Sequence, residues 1–199
     1  MNTVELFPTK IYTDMFPVIT ADPDLWVDEL RKAHIDWHRY KNVEKGPTSP
    51  SRINLLDTKD TALDAFKEKY IKYFSDLHGV DLIPHTLWMN FASKYEHHGQ
   101  HCHYRMKKLY SIVWYIKHDG ENGNLVIHNT NPHKLLPLGP EPFTIMNSYQ
   151  NGVIAIPSWL EHETEANLTD NERISIVMDI GLPLDAPISD SEKLLNEVL

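Results

Sequence analysis

Two periods of apolar residues divide the chain. Trp26, Leu30, Ala33 and Trp37 recur at i, i+4, i+7 and i+11, so one stripe of a helix faces inward. Asp22-Pro23-Asp24 starts that helix: a capping carboxylate, a proline at the first helical position, then acid in the first turn. The pattern fades before Gly46-Pro47, and the Ser/Thr/Pro-rich stretch Thr48-Ser49-Pro50-Ser51 reads as a loop. A second helix is predicted over 61–77, with Leu63, Phe66, Tyr70, Phe74 and Leu77 on its buried face and Gly79 as a left-handed stop. Ahead of both, residues 4–14 read as an opening strand around Leu6, Phe7, Ile11 and Tyr12.

After Pro84 helical spacing disappears. Short β-like runs follow at 87–92, 109–116, 125–127, 152–157 and 173–180, separated by Gly, Asn, Asp and Pro clusters. A short helix is predicted over 189–199. Helices first and strands afterwards predict an α+β domain, mainly β, in which N-terminal helices buttress a sandwich or barrel. Its 199 residues make one domain by length. The expected parts are 1–84 (N-terminal strand and buttressing helices), 85–182 (β core) and 183–199 (tail).

Composition narrows the function classes. A hydrophobic fraction of 41% suits a folded domain. A net charge of −9 leaves no basic surface for a phosphate backbone, so no nucleic-acid partner is expected. The local run Arg105-Met106-Lys107-Lys108 reads as a solvated loop or as a steering patch for an anionic substrate. A single cysteine, Cys102, excludes an internal disulfide framework. No apolar run reaches membrane-spanning length, and Met1 to Glu5 lacks a signal-peptide pattern; a cytoplasmic protein with no membrane partner is expected.

The candidate chemistry lies among the strands. In an extended segment His101 and His103 project to one side and Cys102 to the other, so two imidazoles can chelate one ion. His162 follows the strand ending at Pro157 and sits in the turn beyond it. Imidazole suits Fe, Zn, Cu or Ni alike. With twelve histidines in the chain, and His97 and His98 just upstream, a His-x-His pair alone is weak evidence of a metal site. Arg173 and Ser175 share one face of a strand whose other face carries Ile174, Ile176, Met178 and Ile180. That arginine either pairs at the surface with Glu172 or Asp179 or points into a polar cavity, where its planar fork can grip a carboxylate.

The order His-x-His, Gly-Asn-Leu-Val (123–126), Ile-Pro-Ser-Trp-Leu-Glu-His (156–162) and Asn-Glu-Arg-Ile-Ser-Ile (171–176) resembles the 2-oxoglutarate/Fe(II)-dependent oxygenases of phages and marine bacteria. These are distant relatives of prolyl hydroxylases. The opening Glu5 to Tyr12 is similar to that family's first strand. The resemblance implies a double-stranded β-helix, a jelly roll of cupin type. It implies Fe(II) held by His101, His103 and His162, and 2-oxoglutarate as co-substrate on Arg173 and Ser175. Tyr110, Tyr115 and Asn90 are expected to complete that pocket, with no catalytic side chain beyond the metal centre. The implied reaction couples oxidative decarboxylation of 2-oxoglutarate by dioxygen, giving succinate and CO2, to hydroxylation of a small-molecule or peptide substrate. If the gene belongs to a phage, the place of action is the host cytoplasm. A homodimer is among the assemblies the sequence allows.

One position departs from the wider superfamily, which has a carboxylate two residues after the first histidine; here it is His103. Three consequences stay open: a working three-histidine site, a shifted ligand set using His97 or His98, or an impaired enzyme. Two other functions also compete. One is a three-histidine cupin dioxygenase that does not use 2-oxoglutarate, and the other is a non-catalytic phage barrel protein. The loops 129–150 and 48–54 are the expected places for substrate recognition.

Overall fold

Alternation along three long central strands produces both the core and the cavity. The computed structural model describes residues 9–18, 20–33, 51–103, 107–129 and 143–185. In chain order the described elements are β1 (Tyr12–Met15), α1 (Pro23–Ala33), β2 (Ser51–Asn54), α2 (Thr61–His78), β3 (Ile83–Ala92) and β4 (Lys108–Lys117). Then come β5 (Leu125–His128), β6 (Phe143–Met146), β7 (Gly152–Pro157), β8 (His162–Thr164) and β9 (Arg173–Gly181). The larger sheet has the order β1-β7-β4-β9-β3-β2 and the smaller one β6-β5-β8, with every pairing antiparallel. This is the α+β, mainly β architecture expected, two sheets with helices against one of them.

One face of the large sheet takes the helices. Tyr110, Ile112, Trp114 and Ile116 of β4, with Ile174, Ile176, Met178 and Ile180 of β9, pack against Phe66, Tyr70 and Phe74 of α2. Phe66 stacks on Trp114 at 4.9 Å between ring centroids, and Phe74 on Tyr110 at 4.2 Å. The opposite face contributes Val113, Tyr115 and Val177 to a smaller cluster with Leu125, Ile127 and Leu160, closing the space between the sheets. Because β strands alternate, the same backbone carries a dry face and a site face.

The helix boundaries follow their caps. Asp22 Oδ1 accepts from the amides of Asp24 and Leu25 at the start of α1. Asp60 does the same for Ala62 and Leu63 of α2, and Gly79 ends that helix at φ 65°. Three helix details differ from the sequence reading. Leu77 is exposed, Ala33 is exposed, and Val27 is buried instead, because the docking stripe is narrower than the apolar pattern. Three strands were not foreseen: β2, β6 and β8. Residues 4–8 of the opening strand, Trp37, Arg105, Met106, most of the 129–150 loop and the terminal helix lie outside the described residues.

Asp60 also ties the helices together, since its Oδ2 accepts from Trp26 Nε1 at 2.9 Å while Oδ1 caps α2. Asp60→Ala should therefore lower unfolding stability by about 1–3 kcal/mol, combining a lost cap and a lost hydrogen bond. Asp60→Asn should cost less. Urea denaturation followed by tryptophan fluorescence measures both.

Candidate metal and co-substrate site

A reciprocal backbone pair creates the site. His101 and His162 exchange both N–H to C=O bonds, each 2.9 Å long. Further bonds run alongside: Thr164 N to His98 O at 3.0 Å and His103 N to Ser158 O at 2.7 Å. The segment before β4 is thus laid along β8, extending the small sheet by one irregular strand. Side chains about sixty residues apart in sequence become neighbours, and His162 opens a strand instead of sitting in a turn.

The three imidazoles His101, His103 and His162 offer ligand nitrogens that all lie within 4.8 Å of one another. In each ring Nδ1 meets a fixed oxygen. His101 Nδ1 is 2.7 Å from Gly99 O, His162 Nδ1 is 2.8 Å from Leu160 O, and His103 Nδ1 is 2.7 Å from Asp179 Oδ1. Carbonyl and carboxylate oxygens only accept, so Nδ1 carries the proton and Nε2 keeps its lone pair for an ion. Burial lowers the pKa of His101, and together with the neighbouring His101 charge it holds His162 at about 3. Three oriented imidazoles converging on one point fit a divalent transition metal.

Asp179 is the residue the sequence reading left at the surface. It is almost fully buried, and its carboxylate takes bonds from His103, from Lys108 Nζ at 2.6 Å and from Thr86 Oγ1 at 2.8 Å. Burial alone would raise its pKa, but the bonds from His103 and Lys108 prevail and hold it at about 2. Ser111 Oγ also lies 2.9 Å from His103 Nδ1. The negative charge of Asp179 thus sits one imidazole away from the point where the three rings converge.

The histidines open onto a cavity of about 730 Å³ between the two sheets. Arg173 and Ser175 both line it, and Arg173 is only 4% exposed. The surface pairing considered for Arg173 does not occur: Glu172 bonds Arg31, and Asp179 bonds His103 and Lys108. Arg173 Nη1 donates to the carbonyls of Asn122, Gly123 and Glu165, and Nη2 to Thr164 Oγ1. That fixes the guanidinium and leaves Nε–H and a second Nη2–H for a ligand. Gly123, at φ +98°, is required there: a Cβ would collide with Arg173 Nη1 and Glu165 O.

Tyr115 and Asn90 also line the cavity, in register with Ser175 across neighbouring strands. Tyr110 does not. Five residues before Tyr115 on the same strand, it has the opposite parity and packs among Phe74, Tyr12 and His78 under the helices, so its place in the pocket is corrected. His98 lines the cavity but is not in the converging set; burial, then the charges of His101, Arg173 and Arg52, hold it at about 3. Trp88, Ser111 and Thr164 were not anticipated, and Arg52 falls in the 48–54 segment expected to carry recognition, on a strand instead of a loop. Parity with Arg173 and Tyr115 would have found Asp179 and Ser111.

Asp179→Asn should weaken Mn(II) binding roughly 10–100-fold, the usual cost of removing a partner that orients a ligand histidine. Isothermal titration measures it, and unchanged affinity would show that Asp179 does not tune the site. Because its folded pKa lies below the ordinary 3.8, ionised Asp179 stabilises the metal-free fold above about pH 4. That contribution disappears as pH falls towards about 2, and Asp179→Asn should lack this part of the acid-unfolding slope.

Residues 86–179 match the family model described as "Putative 2OG-Fe(II) oxygenase". No curated protein matches the chain in sequence. Solved structures share its fold. AviO1 from Streptomyces viridochromogenes superposes with a TM-score of 0.61 at 14% identity, covering 90% of this chain and 92% of that one. HygX from Streptomyces hygroscopicus, with nickel and 2-oxoglutarate bound, gives 0.56 at 13% over 87% and 83%. The viral collagen prolyl hydroxylase of Paramecium Bursaria Chlorella virus-1, in its 2-oxoglutarate complex, gives 0.56 at 12% over 85% and 95%. The architecture is the double-stranded β-helix that the sequence resemblance implied. The matched segment contains His101, His103, His162, Arg173 and Asp179, and over it this chain is similar to the 2OG-Fe(II) oxygenases.

Proposed function

We propose that His101, His103 and His162 hold Fe(II), and that Arg173 anchors the distal carboxylate of 2-oxoglutarate, in a dioxygenase that hydroxylates an organic substrate. The observation that carries this reading is the convergence of three Nε2 lone pairs beside a buried guanidinium whose other protons are already committed. When bound, Fe(II) and 2-oxoglutarate supply the oxidising chemistry, with dioxygen consumed, succinate and CO2 released, and an oxygen atom delivered to a C–H bond.

The chain's own residues position these groups. Nε–H and the remaining Nη2–H of Arg173 form a two-pronged donor edge for a carboxylate. The Ser175 hydroxyl, one residue pair away on the same strand face, adds a donor to it. The Tyr115 hydroxyl belongs to the same rung; burial raises its pKa, so it stays a protonated donor. Asp179 holds His103 in the tautomer that presents Nε2 and balances local positive charge. Val113, Leu125 and Val177 wall the cavity with apolar surface and limit water around the reacting atoms.

Among the described residues no helix is long and apolar enough to cross a membrane. A cytoplasmic location and a small-molecule or peptide substrate belong to the same proposal.

Arg173→Ala should abolish Mn(II)-dependent 2-oxoglutarate binding and succinate release, while Mn(II) still binds. Titration with and without metal, plus a succinate assay, measures this. Full turnover in Arg173→Ala would refute the anchor. Oxygen uptake by the native protein without 2-oxoglutarate would point instead to the three-histidine cupin reading, which His103 favours.

A further inference from the structure

Arg52 is a second guanidinium in the cavity, felt by His98 only as a charge. It lies on β2, the edge strand of the large sheet. Strand register sets Arg52 opposite Asn90, Asn90 opposite Ser175, and Ser175 opposite Tyr115, so the four form one rung across the site face. Two strand spacings, about 10 Å, separate Arg52 from Ser175 at the backbone. Arg52 therefore stands at the far end of the rung from the co-substrate residues. Its side chain makes no ion pair or hydrogen bond with any described residue.

Its neighbour Asn90 supplies the second observation. Asn90 is 6% exposed, lines the cavity, and its Oδ1 is buried with no hydrogen-bond partner. A buried amide oxygen without a partner is unfavourable, and a bound donor would relieve it. The next rung, Asn54, Trp88 and Val177, offers aromatic and aliphatic surface beside Arg52.

Charge gives the sign of the ligand. Four charged side chains line the cavity: Arg52, Lys108, Arg173 and Asp179. Lys108 cancels Asp179 at 2.6 Å. A divalent metal balances a dianionic co-substrate, so the two guanidinium groups keep the cavity positive. Arg173 is tied down beside the co-substrate residues, and among the described residues Arg52 is the cation free to meet a further anion. A positive cavity in a chain of net charge −9 selects an anion locally, where exposed acids beyond about 8 Å are screened.

We propose that the oxidised substrate is an organic carboxylate, its carboxylate gripped by Arg52, its donor group on Asn90 Oδ1 and its carbon skeleton against Trp88 and Val177. The planar fork of Arg52 matches the two oxygens of a carboxylate. This rests on the oxygenase reading of the same cavity.

Phenylacetate and its neutral isostere phenylacetamide are the probes, with phenyl phosphate as a third arm. Each is titrated into protein carrying Mn(II) and saturating 2-oxoglutarate, with Trp88 among the fluorescent reporters, and again into metal-free protein. Phenylacetate should bind at least about tenfold more tightly than the amide, an advantage of the size a charged hydrogen bond gives. Arg52→Ala and Arg52→Gln should erase that preference, and Arg52→Lys should keep part of it. Arg52→Gln preserves side-chain length, so the comparison survives if the alanine variant fails to fold. Equal binding of the pair, or a preference that persists in Arg52→Gln, overturns the proposal. Tighter binding of phenyl phosphate overturns the choice of carboxylate. Loss of 2-oxoglutarate binding in Arg52→Gln would assign Arg52 to the co-substrate and also overturn it. Failure of the native protein to bind 2-oxoglutarate sinks the oxygenase reading instead, while the metal-free preference still tests Arg52.

Discussion

The backbone exchange between His101 and His162 is the constraint on which the site depends. Each bond is individually modest, about 0.5–1.5 kcal/mol net. Their effect is geometric: they fix the relative height of two ligands that the chain would otherwise leave on unrelated segments. The neighbouring bonds from His103 N to Ser158 O and from Thr164 N to His98 O prevent slippage of that segment. A shift by one residue would turn every side chain to the other face. His98 and Cys102 would then exchange roles with His101 and His103, and no set of three nitrogens would converge.

A third imidazole in place of a carboxylate changes where the negative charge resides. Here it lies on Asp179, one ring removed, fully desolvated and stabilised by Lys108, Thr86 and His103. Burying a carboxylate without such partners would cost several kcal/mol. With them it polarises His103 Nδ1–H and makes Nε2 a stronger donor to a metal. Lys108 in turn neutralises most of that charge toward the rest of the cavity. The site therefore combines soft neutral ligation with a net positive interior, which suits a co-substrate and a substrate that both bring carboxylates.

Much of this was legible in the sequence, and the misses share a physical cause. The two helices were visible because caps and a 3.6 period coincide. The ligands and Arg173 were visible because their residue types are rare in such an order. Tyr110 was misplaced by ignoring parity: residue type suggested a hydroxyl donor, but a separation of five puts it under the helices with Phe74. Asp179 was missed for the same reason, since an acidic residue near an arginine invites a surface pairing, whereas its parity with Arg173 and Ser175 aims it inward. The segment 48–54 around Arg52 was expected to carry recognition but as a loop, because Arg52-Ile53-Asn54-Leu55 is too short to outweigh the Ser/Pro stretch before it. Its polar–apolar alternation is nonetheless that of an edge strand, with Ile53 and Leu55 in the core.

The central strands β3, β4 and β9 bear core residues and site residues on opposite faces of one backbone. Trp114 is locked among Phe66, Phe16 and Trp26 by ring contacts of 4.9 to 6.0 Å, and Tyr115 beside it points the other way into the cavity. Precision at the site is thus inherited from packing under the helices, because a strand held rigid on one face cannot rotate on the other. β2 differs. It is an edge strand with one neighbour, β3, so Arg52 sits on the part of the sheet with the fewest restraints. Arg173, Ser175 and Tyr115 on central strands and Arg52 on the edge thus differ physically. The first three are held by rigid rungs, and Arg52 stands where the sheet has most freedom to adjust.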